Sequence, residues 1–182
     1  MGFSQNYSEW VDRLLGHGGE WLGKLRPTEP LTGYAGQLPL IRQATDVELS
    51  GGKPVAPLFA AIRAGLFYQY DALADAEETL RPLSGDLAAY WQAMVFRRAG
   101  EFELARNCGR SAGELPFFTK LHQTASVFSA IIARQYTWDP YLFTGLCEQH
   151  RFGDDSLSEE LIKLQRAEFE EVFDYTWRHS AL

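Results

Sequence analysis

Four histidines and two cysteines are the residues of this chain best suited to metal binding or nucleophilic attack, and their spacing argues against both. His17, His122, His150 and His179 include no pair three or four positions apart and no HExxH arrangement, so a metal would need ligands from distant segments. Cys108 and Cys147 lack a second cysteine at redox or metal spacing and read as buried packing thiols. Gly16-His-Gly-Gly19 lacks the Lys-Ser/Thr that completes a phosphate loop, and no Gly-x-Ser-x-Gly elbow presents a serine nucleophile. No metal and no cofactor is therefore expected. Acid–base chemistry remains: His122, Glu168 and Arg97 would form a proton-moving cluster if the fold joined them. Arg106 and Arg110, four apart on one helix face, could hold an anion together with Arg97 and Arg98. The plainer expectation is that these arginines end a helix or pair with Glu101, Glu103 or Glu114.

The elements that must position these groups are helical. Shifting Leu58–Arg81 by 29 positions onto Leu87–Arg110 superposes six identical residues: Leu58/Leu87, Ala60/Ala89, Ala64/Ala93, Phe67/Phe96, Ala76/Ala105 and Arg81/Arg110. Each stretch reads as helix, tight turn, helix, with alanines where two helices approach. From Pro57 onward the periodicity predicts helices over 57–70, 72–81, 85–98, 102–112, 117–135, 140–150 and 157–178. Asp139 and Pro140 form an entry signal for one of them, and Ser156-Leu-Ser-Glu159 has capping-box spacing for the last. That last helix carries a wide apolar arc and should be largely buried. Ahead of Pro57, a short helix over Ser8–Leu15 and a second one holding Trp21, Leu22 and Leu25 are expected. They are followed by a long irregular segment, with an extended piece at Leu38–Ile41, that wraps the core. Trp91, Phe96, Phe102, Phe128, Ile132, Phe169, Phe173 and Trp177 are the expected core. The fold class expected is all-α: a single helical bundle, with residues 1–56 as an arm packed on a helical domain of residues 57–182.

At 182 residues the chain can build one sizeable core. Its formal net charge of −7 opposes binding to a phosphate backbone, so no nucleic acid partner is expected. Basic residues are mostly arginine, which favours planar pairing with carboxylates inside the fold. No apolar run is long enough to cross a bilayer and no secretory signal is evident, so no membrane partner and a cytoplasmic location are expected.

Two resemblances add to this reading. Ala93-x-x-Phe96…Ala105…Ala112, with Ala64-x-x-Phe67…Ala76 before it, is similar to the tetratricopeptide hairpin pattern, although the 29-residue offset is shorter than the usual ~34 and Leu83 stands where a third small residue belongs. The string Tyr90-Trp-Gln-Ala-Met-Val-Phe-Arg-Arg-Ala-Gly-Glu-Phe-Glu-Leu-Ala105, with Leu115-Pro-Phe117, Trp138-Asp-Pro-x-x-Phe143…Leu146-Cys-Glu148 and Leu164-Gln-x-x-Glu168-Phe…Phe173-Asp-Tyr175, resembles an uncharacterised bacterial family of helical proteins. Leu104 and Leu115 depart from the Asn and His of that pattern. The resemblance implies that Arg97, Arg98, His122, Asp139 and Glu168 would line one ligand pocket, arginine holding an anionic group while His122 or Glu168 moves a proton. The hairpins imply instead a non-enzymatic module that binds another protein or a second copy of itself, and the two departures weigh against retained catalysis. The interaction module is the leading expectation, with an exposed apolar or aromatic groove over helices 57–112 as its signature. A small-molecule binder or divergent enzyme is the alternative.

Overall fold

The computed structural model describes residues 7–16, 23–27, 36–152 and 156–180. His17 and the glycines after it, Trp21 and Leu22 of the expected second short helix, and the side chain of Ser156 in the expected capping box lie outside the described residues. Among the described residues the fold is an all-α bundle with no β-sheet. Its helices are α1 (Glu9–Gly16), α2 (Gln37–Gln43), α3 (Asp46–Leu49), α4 (Ala60–Gln69), α5 (Leu73–Leu80), α6 (Asp86–Ala99), α7 (Phe102–Ser111), α8 (Phe118–Ser126), α9 (Ala130–Ala133), α10 (Pro140–Gln149) and α11 (Ser156–Ser180). A 3-10 turn at Pro57–Phe59 leads into α4.

The repeat seen at an offset of 29 is also a repeat of backbone geometry. At the end of α4 the Ala72 amide donates to the Phe67 carbonyl (3.0 Å) and the Asp71 amide to Tyr68 (3.1 Å). At the end of α6, 29 positions on, Glu101 donates to Phe96 (2.8 Å) and Gly100 to Arg97 (3.1 Å). Both turns are Schellman motifs, closed by one left-handed residue, Asp71 at φ 59° and Gly100 at φ 88°. Next come Ala72 (φ −81°, ψ 61°) and Glu101 (φ −87°, ψ 62°), nearly superposable, which launch α5 and α7. The alanines do what their size suggests: Ala64, Ala76, Ala93, Ala105 and Ala112 are all buried.

α4 pairs with α5 and α6 with α7, the two hairpins meet through α5 and α6, and α10 packs on α7. The inner side of the hairpins, formed by α4 and α6, is filled by α11. Phe169 of α11 stacks on Tyr68 of α4 (ring centroids 5.5 Å apart) and meets the edge of Trp91 of α6 (6.0 Å), and Phe173 lies beside the same Trp91 (6.5 Å). The indole of Trp91 donates to Thr176 (2.8 Å). Close approach requires Gly65: a Cβ there would stand 2.7 Å from the Phe173 ring and 2.9 Å from Trp91. Gly65→Ala should therefore destabilise, because overpacking costs about 1–3 kcal/mol while the gain in helix propensity is at most ~1 kcal/mol. Thermal unfolding checks this; an unchanged or raised midpoint would contradict such tight packing.

The structure revises several sequence expectations. Leu38–Ile41 is helix, not an extended piece: Pro39 falls in the first turn of α2, where its missing N–H is not needed. The N-terminal segment carries helices as well as irregular chain, and Tyr7, Val11, Leu14, Leu25, Ile41 and Leu49 join the same core as the later helices. The helix expected over 117–135 is divided, because Ser129 adopts an extended conformation (φ −138°) and α9 turns back to bring the Ile132 carbonyl to His122. Phe96, Phe102 and Phe128 are only half-buried; Trp91, Ile132, Phe169, Phe173 and Trp177 are core as expected. The groove expected over residues 57–112 is not open on its inner side, which α11 occupies. Among the described large apolar residues of that span, Leu104 alone is exposed.

Candidate functional site

Helical periodicity carries two arginines and a glutamate into the interior. On α6 the buried face is Tyr90, Trp91, Met94, Arg97 and Arg98, at positions i, i+1, i+4, i+7 and i+8. On α11 the buried positions Leu161, Leu164, Gln165, Glu168, Phe169, Val172 and Phe173 follow the same rule. Arg97 and Glu168 thus meet with their side chains 1% and 0% exposed. The guanidinium grips the carboxylate with both terminal nitrogens, one at 3.1 Å and the other closer. The Tyr90 hydroxyl donates to the same carboxylate (2.8 Å) and itself accepts from the Trp138 indole (2.6 Å). Arg97 lies over the Phe143 ring at 4.4 Å.

Beside this chain of bonds, Arg98 pairs with Asp71, the left-handed residue that closes the first hairpin. Its remaining terminal nitrogen donates to the Lys24 carbonyl (2.6 Å), which also accepts from Gln165 (3.4 Å). Arg98 therefore ties the α4–α5 turn, the N-terminal segment and α11 together. The two arginines expected at a solvated helix end are structural cations in the core. Nearer the surface, Arg–carboxylate pairing recurs as Arg42 with Asp75 and Arg63 with Asp46, both at 2.7 Å.

The structure joins Arg97 to Glu168 and places Arg98 next along the same helix. It does not add His122 or Asp139 to that group. The ring of His122 is bonded to the Ile132 carbonyl (3.1 Å). The Asp139 carboxylate accepts from the amides of Tyr141 (2.8 Å) and Leu142 (3.2 Å), capping α10 as its sequence signal predicts. The residues missed at the sequence level are Tyr90, Trp138 and Asp71. Asp71 was visible as the position aligned with Gly100, and Tyr90 as the residue two turns before Arg97.

Burial and neighbouring charge shift several of the groups in and around this cluster. Burial works against the charge of Arg97, yet the Glu168 carboxylate, with Cys147 and Tyr68 beside it, holds the guanidinium above its usual range. Burial, reinforced by Glu168, pushes Tyr90 well above an ordinary phenol. Burial raises Tyr68 to about 12 and the Cys147 thiol to about 12. A nucleophilic cysteine needs a lowered pKa, so Cys147 is inert packing. Cys108 is half-buried with its thiol also raised by burial, and both cysteines are free. The folded thiol of Cys147 ionises later than an unfolded thiol near 9, so its contribution is fully present below pH 9 and is lost as pH rises toward 12. By pH 12 that loss is about 4 kcal/mol at 1.36 kcal/mol per unit. The unfolding midpoint should fall steeply between pH 9 and 12, and less steeply in Cys147→Ala; equal slopes in both proteins would contradict this assignment.

A second cluster faces outward on α7 and α10. Tyr141, 46% exposed, is flanked by the guanidinium of Arg110 at 4.7 Å and that of Arg106 at 5.8 Å. Arg106 pairs with Glu148 of α10 (2.7 Å), not with the glutamates of its own hairpin. Arg110 bonds Asn107 (3.3 Å), and no ion pair to it is found among the described residues. Gly109 lets α10 lie close, with its position only 3.3 Å from Pro140 were a Cβ present. Just past α10, Arg151 donates to the Glu148 carbonyl (3.0 Å) and lies over the exposed ring of Phe152 at 4.8 Å.

An open cavity of about 360 Å³ lies elsewhere, lined by Tyr7, Ser8, Glu9, Trp10, Ser50, Gly51 and Lys53, and none of the five expected pocket residues borders it. Among the described residues no cluster of His, Cys, Asp and Glu could hold a metal ion, and no helix is long and apolar enough to cross a membrane. Comparison of the chain with protein-family models, with curated proteins and with solved structures gives no match.

Proposed function

We propose that this chain is a non-enzymatic interaction module, a bundle of tetratricopeptide-like hairpins that presents its outer α7–α10 face to another protein. The observation that carries this reading is Tyr141, left half-exposed between two guanidinium groups on a rigid helix pair. Tyrosine and arginine are the side chains over-represented where partners bind most tightly, and here stacking holds them in place before any partner arrives. The alternative, a small-molecule pocket built on Arg97, Arg98, His122, Asp139 and Glu168, has less support, because the polar groups that would grip a ligand are bonded to one another or to backbone.

The test is site-specific photocross-linking in native cells with p-benzoylphenylalanine at position 141, which keeps a ring there, against the same group at the exposed position 78 on α5. A discrete adduct from 141 that is absent from 78, and absent when Arg110→Glu is added, is the expected result. No adduct from 141, or the same adducts from both positions, overturns the reading.

A further inference from the structure

We propose that the cavity between the start of α1 and the turn after α3 binds a free amino acid with an apolar or aromatic side chain: Lys53 takes its carboxylate, Glu9 its ammonium and Trp10 its side chain. The site shares no residue with the α7–α10 face, so its failure would leave the interaction-module reading standing. Its walls are held by the protein itself. The Ser8 hydroxyl donates to the Leu49 carbonyl and accepts from the Val11 amide (3.1 Å), so one side chain caps α1 and fastens it to the end of α3. The hydroxyl of Ser50, a buried residue, lies within bonding distance of the carbonyls of Val47 (2.8 Å) and Lys53 (2.6 Å), which fixes the backbone from which the Lys53 side chain starts. Gly51, at φ 73°, permits the close approach of the two walls, since a Cβ there would stand 3.2 Å from that of Ser8. The ring of Tyr7 meets the edges of Phe173 (5.5 Å) and Trp177 (5.2 Å), so this part of the lining rests on the core.

Against these fixed walls stand three side chains that the protein leaves unengaged. Glu9 and Lys53 both border the cavity and are exposed, yet among the described residues neither forms an ion pair, with the other or with any other residue. Trp10 has no hydrogen bond from its indole and no ring contact among the described residues. The lining thus offers one cation, one anion and one free aromatic face. A simple anion would meet Glu9 and a simple cation would meet Lys53, each a like-charge contact. A neutral sugar could use Trp10 but would answer neither charge. A zwitterion with an apolar side chain answers all three at once. The volume, about 360 Å³, lies near the lower end of the range for ligand pockets, roughly 300–1,000 Å³, which suits a single amino acid better than a nucleotide or a peptide.

The experiment titrates the full ¹⁵N-labelled chain and follows its five indole N–H signals by NMR, that of Trp10 being the one missing from Trp10→Phe. Three probes share a phenyl ring: L-phenylalanine, 3-phenylpropanoate, which lacks the ammonium, and 2-phenylethylamine, which lacks the carboxylate. Phenylalanine should move the Trp10 signal with a dissociation constant of about 1 mM or below, and each single-charge probe should bind about fivefold more weakly. Lys53→Gln should abolish the preference for phenylalanine over 2-phenylethylamine while keeping that over 3-phenylpropanoate; Glu9→Gln should do the reverse. Arg81→Gln, at an exposed position on α5's C-terminal end, should change neither preference. The same spectra show that each variant keeps the fold. No movement of the Trp10 signal at about 10 mM phenylalanine, equal binding of the three probes, or an unaltered preference in either cavity variant overturns the proposal.

Discussion

Glu168→Ala should cost about 3–5 kcal/mol, a large part of the stability of a domain this size. The substitution removes the carboxylate that answers Arg97 in a site where both side chains are almost wholly excluded from water. It also strips the Tyr90 hydroxyl of its acceptor and so loosens the bond from Trp138 behind it. A buried pair contributes little net stability when intact, because desolvation of two ions nearly cancels their attraction; the large effect comes from leaving one of them alone. Arg97→Met combined with Glu168→Leu should therefore recover most of what Glu168→Ala loses. Urea unfolding of wild type, Arg97→Met, Glu168→Leu and the double variant gives the coupling directly. If Glu168→Ala unfolds outright, the comparison of the double variant with wild type still tests the argument. A cost below about 1 kcal/mol for Glu168→Ala would mean that water reaches the pair, contrary to the burial described.

Phe169→Ala should cost a similar 3–5 kcal/mol for a different reason. The ring is fully buried and, among the described residues, is stacked on Tyr68, edge-on to Trp91 and 5.5 Å from Phe173. Removing it deletes one of the contacts by which α11 holds α4 and α6, Phe173 against Gly65 and Trp91 being another, and leaves a cavity among large rings. The unfolding midpoint should fall with no change in the denaturant slope. A loss under about 1.5 kcal/mol would indicate that α11 repacks and is not the fixed filler of the inner face.

The fold was legible because its signals are local. The offset of 29 between Phe67 and Phe96 foretold two hairpins whose closing turns match bond for bond, and Asp139-Pro140 foretold a capped helix. The candidate site was only half legible. Arg97, Arg98 and Glu168 each sit on the apolar stripe of their helix, so periodicity alone places them inside. The habit of assigning charges to solvent hid this, and the partners could not be read because Arg97 and Glu168 lie 71 positions apart. The departure of His122 follows from a local event, the break at Ser129 that turns Ile132 onto its ring. The pairing of Arg106 with Glu148 and the stacking of both arginines on Tyr141 depend on α10 packing against α7, a long-range contact with no sequence signature.

Two arginine clusters divide between core and surface: Arg97 pairs with Glu168 in the interior, and we propose the outer face around Tyr141 as the surface that a partner meets. The most direct measurement is the yield of the position-141 photocross-link in two backgrounds, Arg97→Met/Glu168→Leu and Arg110→Glu, with both proteins shown to be folded. The interior double variant should keep the adduct at its wild-type yield while Arg110→Glu loses it. Loss of the adduct in the folded interior variant, with its persistence in Arg110→Glu, would overturn the surface reading and return the function to the buried arginine and glutamate.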